Sequence, residues 1–338
     1  MNITIWVTND CNLGCKYCYV KKDKKYLNTN VADEIVTFIY KQSEKDNEEK
    51  IKIVFHGGEP LLNFEIIKYI QVKLRKIKNR IAYSMTTNGT IRLQGDDLKD
   101  IRDIFLSISI DGKREVHNKY RVSKNNKNFY NTILDNINYY LDNNFAIRLR
   151  MTVLPETVET FYENYVYLYN ITKQIVAFEP DVGNSAWNVE LLGKYFEELQ
   201  KILDYLLLVN KNDAIILLKS FYVRFFRNRG SCTGGEKSFH VVENGDIYPC
   251  LLAANNPKYL IGTVFDGINK EKVRELREIS EKPTKSCEGC LMYDCCESKS
   301  CKIVNEYYSG NYDIPSVVKC HMQNQMYRVM MKYRKWIR

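Results

Sequence analysis

Cys11, Cys15 and Cys18 stand in the spacing C-x-x-x-C-x-x-C, with Tyr17 directly before the third cysteine. Three thiolates presented from one short loop can hold three irons of a cubane 4Fe-4S cluster. No further ligand residue lies nearby to close the set, so the fourth iron is left open to a small molecule. A zinc site or a disulfide is the competing use of such thiols. Structural zinc takes four ligands in paired local spacing, and a disulfide needs a secreted chain.

A loop of this kind needs a rigid element before it. Ile3, Ile5 and Val7 alternate as a strand does, and Asn9, Asp10, Asn12 and Gly14 then break the alternation with turn-tolerant residues. The cysteines therefore leave the C-terminal end of a first strand. A second strand-like run, Ile51 to Phe55, leads into His56-Gly57-Gly58-Glu59-Pro60. A Gly-Gly turn between strand and helix would by itself be structural, but glycines also let backbone carbonyls approach a ligand closely. Two more strand ends carry polar tips: Met85 to Gly89 includes Asn88, and Leu106 to Gly112 places Ser109 and Asp111 on the same side.

The first 180 residues repeat a strand followed by a helix. Strands are expected at Ile3–Thr8, Ile51–His56, Ile81–Thr87, Ile104–Ile110, Ala146–Val153 and Gln174–Glu179, with amphipathic stretches such as Val31–Gln42 and Asn128–Asn143 between them. Such alternation predicts an α/β fold with a parallel sheet and right-handed crossovers. Six units fall short of a full eight-stranded barrel, so a partial (β/α)6 TIM-like barrel is expected. Its ligand site belongs at the C-terminal ends of the strands, where the motifs above fall.

The cysteine triplet with its preceding aromatic residue resembles the signature of the radical S-adenosylmethionine (SAM) enzymes. The Gly57-Gly58-Glu59-Pro60 run is similar to the motif by which that family holds the methionyl amine, with Glu59 offsetting the ammonium. The resemblance places Tyr17, Asn88, Ser109 and Asp111 around SAM, with Ser109 near its ribose. Arg121, ten residues past Asp111, matches the arginine that meets the methionyl carboxylate in many relatives. It further implies that the reduced cluster donates an electron to SAM, and that the resulting 5′-deoxyadenosyl radical takes a hydrogen atom from the substrate.

Eight of the 11 cysteines follow later: Cys232, Cys250, Cys287, Cys290, Cys295, Cys296, Cys301 and Cys320. Asn244-Gly245 between alternating apolar residues marks a hairpin just before Cys250. This order resembles the SPASM extension of radical SAM enzymes, which carries two auxiliary 4Fe-4S clusters and would bring the total to three. The resemblance implies Cys232, Cys250 and Cys301 for one cluster and Cys287, Cys290, Cys296 and Cys320 for the other. Cys295 either completes the first or leaves it with an open iron for a substrate thiolate. Phe225, Phe226 and Arg227 stand where the family often has a further cysteine. The spacing from Cys296 to Cys301 is also one residue longer than usual. A pair of zinc ribbons is the alternative use of these thiols. The expected division is a radical SAM domain at 1–210 and a SPASM domain with a C-terminal helix at 211–338. A helix over Val189–Val209 leads from one to the other. The tail from Asn324 to Arg338 reads as an amphipathic helix with Met326, Met330 and Met331, suited to core packing more than to peptide capture.

The chain has 338 residues and 45% hydrophobic content, enough for a full core, and its longest apolar runs are far too short to cross a bilayer. No signal peptide is visible. Eleven cysteines without one point to a reducing cytoplasm. The net charge of +9 is spread over lysine-rich helices; an acidic peptide partner suits it, and no nucleic-acid motif is recognised. SPASM relatives crosslink ribosomally made peptides through thioether or C–C bonds, or oxidise Ser or Cys of sulfatases to formylglycine. In the sulfatase-maturing branch an Asp follows the cysteine matched by Cys250, whereas Leu251 stands here. The expected activity is therefore peptide crosslinking with net two-electron oxidation. Sulfatase maturation and a non-catalytic iron-sulfur electron carrier are the alternatives. The expected partners are a peptide and a reductant such as flavodoxin or ferredoxin. With the first strand beginning at Ile3, leader recognition is expected to fall to a separate protein or the barrel rim. No general base stands out.

Overall fold

The computed structural model describes residues 1–45, 50–123, 125, 127–226, 230 and 232–337. Arg227 and Arg338, noted above, lie outside them. The described chain is α/β and divides into two compact units: Met1–Ile110, Arg114–Arg150 and Thr233–Arg274 form one, and Asp111–Lys113, Met151–Cys232 and Glu275–Arg338 the other.

In the first unit, β1 (Asn2–Thr8), β2 (Lys50–Gly57), β3 (Arg80–Thr87), β4 (Ile104–Ser109) and the start of β5 (Ile147–Val153) pair side by side, all parallel. Each lies within two residues of its expected range. The registers sort the side chains into two sets because successive residues point to opposite faces. Ile3, Ile53, Phe55, Met85, Leu106 and Leu149 share one face and are at most 2% exposed. The other face is polar, and includes Trp6, His56, Ser107, Arg148 and Arg150. Phe38, on the Thr29–Lys45 helix, meets Phe239 edge-on, which places that helix against the apolar face.

The expected hairpin forms as β7 (Ser238–Val241) and β8 (Asp246–Tyr248), antiparallel, with Gly245 at φ +92° in the turn. The sequence did not announce where it docks. β7 pairs parallel with β1, Ile3 opposite Phe239, so the sheet continues beyond β1 through β7, β8, β9 (Gly262–Thr263) and β10 (Gly267–Ile268). Pairing between residues more than 230 apart leaves no local trace in the chain.

The second unit holds the last residues of β5, β6 (Val176–Pro180) and a helical body. The Val189–Val209 helix has the expected bounds, and an aromatic cluster of Phe161, Tyr165, Phe178 and Tyr195 forms its core. The C-terminal helix runs from Val317 to Tyr333, beginning earlier than its methionines suggest. Met326 and Met330 are 2% exposed, in line with core packing, while Met331 is 43% exposed. Tyr333 donates to Asp204 Oδ1 at 2.6 Å, tying that helix to Val189–Val209. Among the described residues no helix is long and apolar enough to cross a membrane.

Candidate functional site

The cysteine loop is fixed from three sides within the first unit. Gly14 donates its N–H to Val122 O at 2.6 Å and Lys16 to Tyr120 O at 2.9 Å, joining the loop to the segment that carries Arg121. The Arg121 guanidinium lies 5.3 Å from the centre of the Tyr17 ring, so two residues expected at the SAM site meet. Lys22 Nζ holds Leu13 O at 2.7 Å. At the loop entrance Asp10 accepts from the Cys11 N–H through Oδ1 and from the Tyr26 hydroxyl through Oδ2.

The third side is the Gly57-Gly58-Glu59 run. Gly58 N–H donates to Thr8 O and Glu59 N–H to Asp10 O, each at 2.8 Å. A Cβ added to Gly57 or Gly58 would stand 2.0 Å from Thr8 O or Asp10 O respectively, and Gly57 has φ +128°. The missing side chains thus let the cysteine loop lie directly on the end of β2. Glu59 is wholly buried and clamps two strand ends together: Oε1 accepts from the Thr87 hydroxyl at 2.8 Å and from Leu61 N–H at 3.1 Å, and Oε2 from Asn88 N–H at 2.6 Å. Burial outweighs these donors and pushes its carboxyl up to about 7.

Asn88 reaches the cysteines directly. Its Nδ2 donates to Asn12 Oδ1 at 2.8 Å and lies 3.6 Å from Cys11 Sγ, which also receives Leu13 N–H at 3.4 Å. Such donors suit a thiolate bound to iron. Without a cation, burial pushes the Cys11 thiol up to about 11, with Glu59 adding to the rise. Three uncrosslinked cysteines, one of them buried and supplied with N–H donors, fit a cluster.

Ser109 ends β4 and is 7% exposed. Asp111 belongs to the second unit, where its Oδ1 accepts Thr152 N–H at 2.9 Å.

One constellation on the polar face was not singled out in the sequence. Tyr19, one residue past Cys18, forms a 2.7 Å hydrogen bond with His56 Nε2. His56 lies edge-on to Trp6 at 5.9 Å, and Trp6 Nε1 donates to His240 on β7. Burial, and then Arg150, lowers His56 to about 4; burial, and then His56, lowers His240 to about 3. Both imidazoles are neutral at neutral pH. The usable signal was the period of two that puts Trp6, His56 and Arg150 opposite the Ile and Phe positions.

In the second unit, Cys287, Cys290 and Cys320 approach one another closely enough that, after burial, the first two raise the Cys320 thiol. Cys295 and Cys296 lie next to the short Glu297–Ser300 helix and Cys301 ends it, while Cys232 N–H donates to Ser280 Oγ at 3.2 Å. Cys250 belongs to the first unit, two residues after β8.

The chain matches the model of the Radical SAM superfamily over residues 5–168. It is 32% identical over 260 residues to an uncharacterised protein of Methanocaldococcus jannaschii, covering 74% of this chain and 84% of that protein. It is 24% identical over 324 residues to a cysteine-type anaerobic sulfatase-maturating enzyme of Clostridium novyi, covering 86% and 85% of the two chains. Two solved structures share the fold. One is anSMEcpe with bound AdoMet and a peptide, at a TM-score of 0.79, 18% identity and coverage of 100% and 98%. The other is SuiB of Streptococcus suis bound to precursor peptide SuiA, at 0.65, 15% and coverage of 94% and 75%. The chain belongs to the radical SAM superfamily. It is an enzyme that uses a 4Fe-4S cluster and SAM.

Proposed function

We propose that this enzyme modifies a ribosomally made peptide, forming a thioether or carbon–carbon crosslink with net two-electron oxidation. The observation that carries the peptide substrate is the structural likeness along the whole chain to anSMEcpe, whose structure holds AdoMet and a peptide. SuiB, bound to a precursor peptide, shares the fold over 94% of this chain.

In this reading Cys11, Cys15 and Cys18 hold the cluster, and Tyr17, Gly57, Gly58, Glu59, Asn88, Ser109, Asp111 and Arg121 surround SAM. When bound, cluster and SAM together supply a radical that removes a substrate hydrogen atom. The chain's own task is placement. Asn88 and Leu13 donate to Cys11, the glycine run seats the loop, and Arg121 offers a guanidinium to a carboxylate. Cys232, Cys250, Cys287, Cys290, Cys295, Cys296, Cys301 and Cys320 would hold two auxiliary 4Fe-4S clusters, which would supply an electron acceptor. Functionally, residues 1–210 serve the radical chemistry and 211–338 the auxiliary clusters. A flavodoxin or ferredoxin supplies electrons, and a separate protein or the barrel rim recognises the peptide leader.

Formylglycine formation is the second reading, favoured by the identity to the Clostridium novyi enzyme. Leu251 after Cys250 speaks against it. The test is anaerobic reconstitution with dithionite, SAM and peptides encoded beside the gene. Release of 5′-deoxyadenosine with a peptide lighter by two hydrogens and inert to a carbonyl reagent supports crosslinking. A hydrazine-reactive product overturns it in favour of formylglycine, and absence of 5′-deoxyadenosine overturns catalysis altogether.

A further inference from the structure

We propose that Arg150, which shares the polar face of the sheet with His56, receives a carboxylate of the substrate, either an aspartyl or glutamyl side chain or a peptide C-terminus. This deepens the peptide-modifying reading and rests on it.

The polar face of the first unit's sheet carries two arginines from β5, and they are used differently. Arg148 is engaged by the sheet itself: its Nε and Nη2 lie 3.4 and 3.3 Å from Ser107 Oγ, and its guanidinium stands 5.6 Å from the Phe105 ring centre. Arg150, partly buried and paired in register with Ser109, has no side-chain hydrogen bond or ion pair among the described residues. Its field nonetheless reaches both His56 and Tyr19.

Among the described residues, no position of β1–β5 or β7 on that face carries a carboxylate. Following the registers, the polar-face positions of β1–β5 and β7 include Trp6, His56, Ser84, Thr86, Ser107 and His240, and none is Asp or Glu. The two histidines are neutral, so Arg150 leaves a net positive charge on a face that also carries the hydrogen-bonded Tyr19–His56 pair. A partly enclosed guanidinium is poorly solvated and gains most from a hydrogen-bonded anion. Its planar fork matches a carboxylate in two parallel hydrogen bonds. Ser109 next to it is a residue expected near SAM, which puts the subsite where a reacting residue would have to lie.

The test is calorimetric titration of the reconstituted holoenzyme with SAM present, using three peptides: acetyl-Ala-Glu-Ala-amide, acetyl-Ala-Gln-Ala-amide and acetyl-Ala-Gln-Ala with a free C-terminus. The Glu peptide or the free-acid peptide is expected to bind about ten-fold more tightly than the neutral one, the size of a charge-assisted pair. Which of the two does so identifies the source of the carboxylate. Arg150→Gln should remove the preference, Arg150→Lys should keep part of it, and SAM affinity by equilibrium dialysis should be unchanged. Equal binding of all three, no measurable binding, or a preference that survives Arg150→Gln would overturn the assignment. So would loss of SAM affinity in Arg150→Gln, since the guanidinium would then serve the cofactor. A preference that persists in an enzyme that modifies no peptide would leave the subsite standing and remove the peptide-modifying function.

Discussion

The two groups of cysteines are built on different principles. In the first unit the loop from Cys11 to Cys18 is braced by two strand ends and by the 120–123 segment, and Leu13 in its middle is wholly buried. In the second unit, the turns at Lys285–Cys287 and Tyr293–Cys295 contain no buried residue, and Leu291 between them is 93% exposed. The first loop is therefore shaped by the fold before any iron arrives. The second has little apolar packing of its own, so in the proposed reading its order would come from the metal it binds.

Four experiments bear on this contrast, the largest effect first. Cys15→Ala is expected to abolish 5′-deoxyadenosine release and remove about four irons per chain, one cubane's content, with the circular dichroism spectrum unchanged. Retained SAM cleavage would show that Cys15 is no ligand. Protein kept free of iron should be cut by protease within residues 282–301 on the order of ten times faster than the loaded protein, as expected for a metal-ordered segment. Residues 1–45 should stay protected in both. Equal protection of the two cysteine regions would erase the distinction drawn here.

Gly58→Ala probes the bracing itself. A methyl group 2.0 Å from Asp10 O forces the loop away from β2, and a loss of about 1–3 kcal/mol is expected from comparable overpacking. The thermal midpoint of the iron-free protein should fall by several degrees, and an unchanged midpoint would mean that loop and strand end are not braced together. A pH series checks the histidines of the polar face. His56 and His240 have folded pKa values of about 4 and about 3, below the ordinary 6.5. Between those limits the unfolded chain binds more protons, so stability present above pH 6.5 is lost as the pH falls toward 4. A loss of roughly 4 kcal/mol, about 2 from each histidine, is expected by pH 5, and His240→Gln should flatten the slope. The same pH slope in wild type and His240→Gln would locate the titration elsewhere.

Much of this was legible in the chain. The six β/α strands announced themselves through alternation, and the cysteine triplet, the glycine run and Asn88 through their places at strand ends. What the sequence concealed is non-local. β7 joins β1 across more than 230 residues, and Tyr19, His56, Trp6 and His240 become neighbours only through strand register. Glu59 was expected to face an ammonium; its carboxylate also accepts three protein hydrogen bonds, which depend on how β3 ends.

The docking of β7 on β1 has a consequence for electron flow. The strand that launches Cys11 and the hairpin that ends two residues before Cys250 are ribs of one hydrogen-bonded sheet. Their separation is set by interstrand spacing and not by a tether, so thermal motion shifts both together. A tunnelling gap between redox centres at those two places would hold nearly constant while the helices around it breathe.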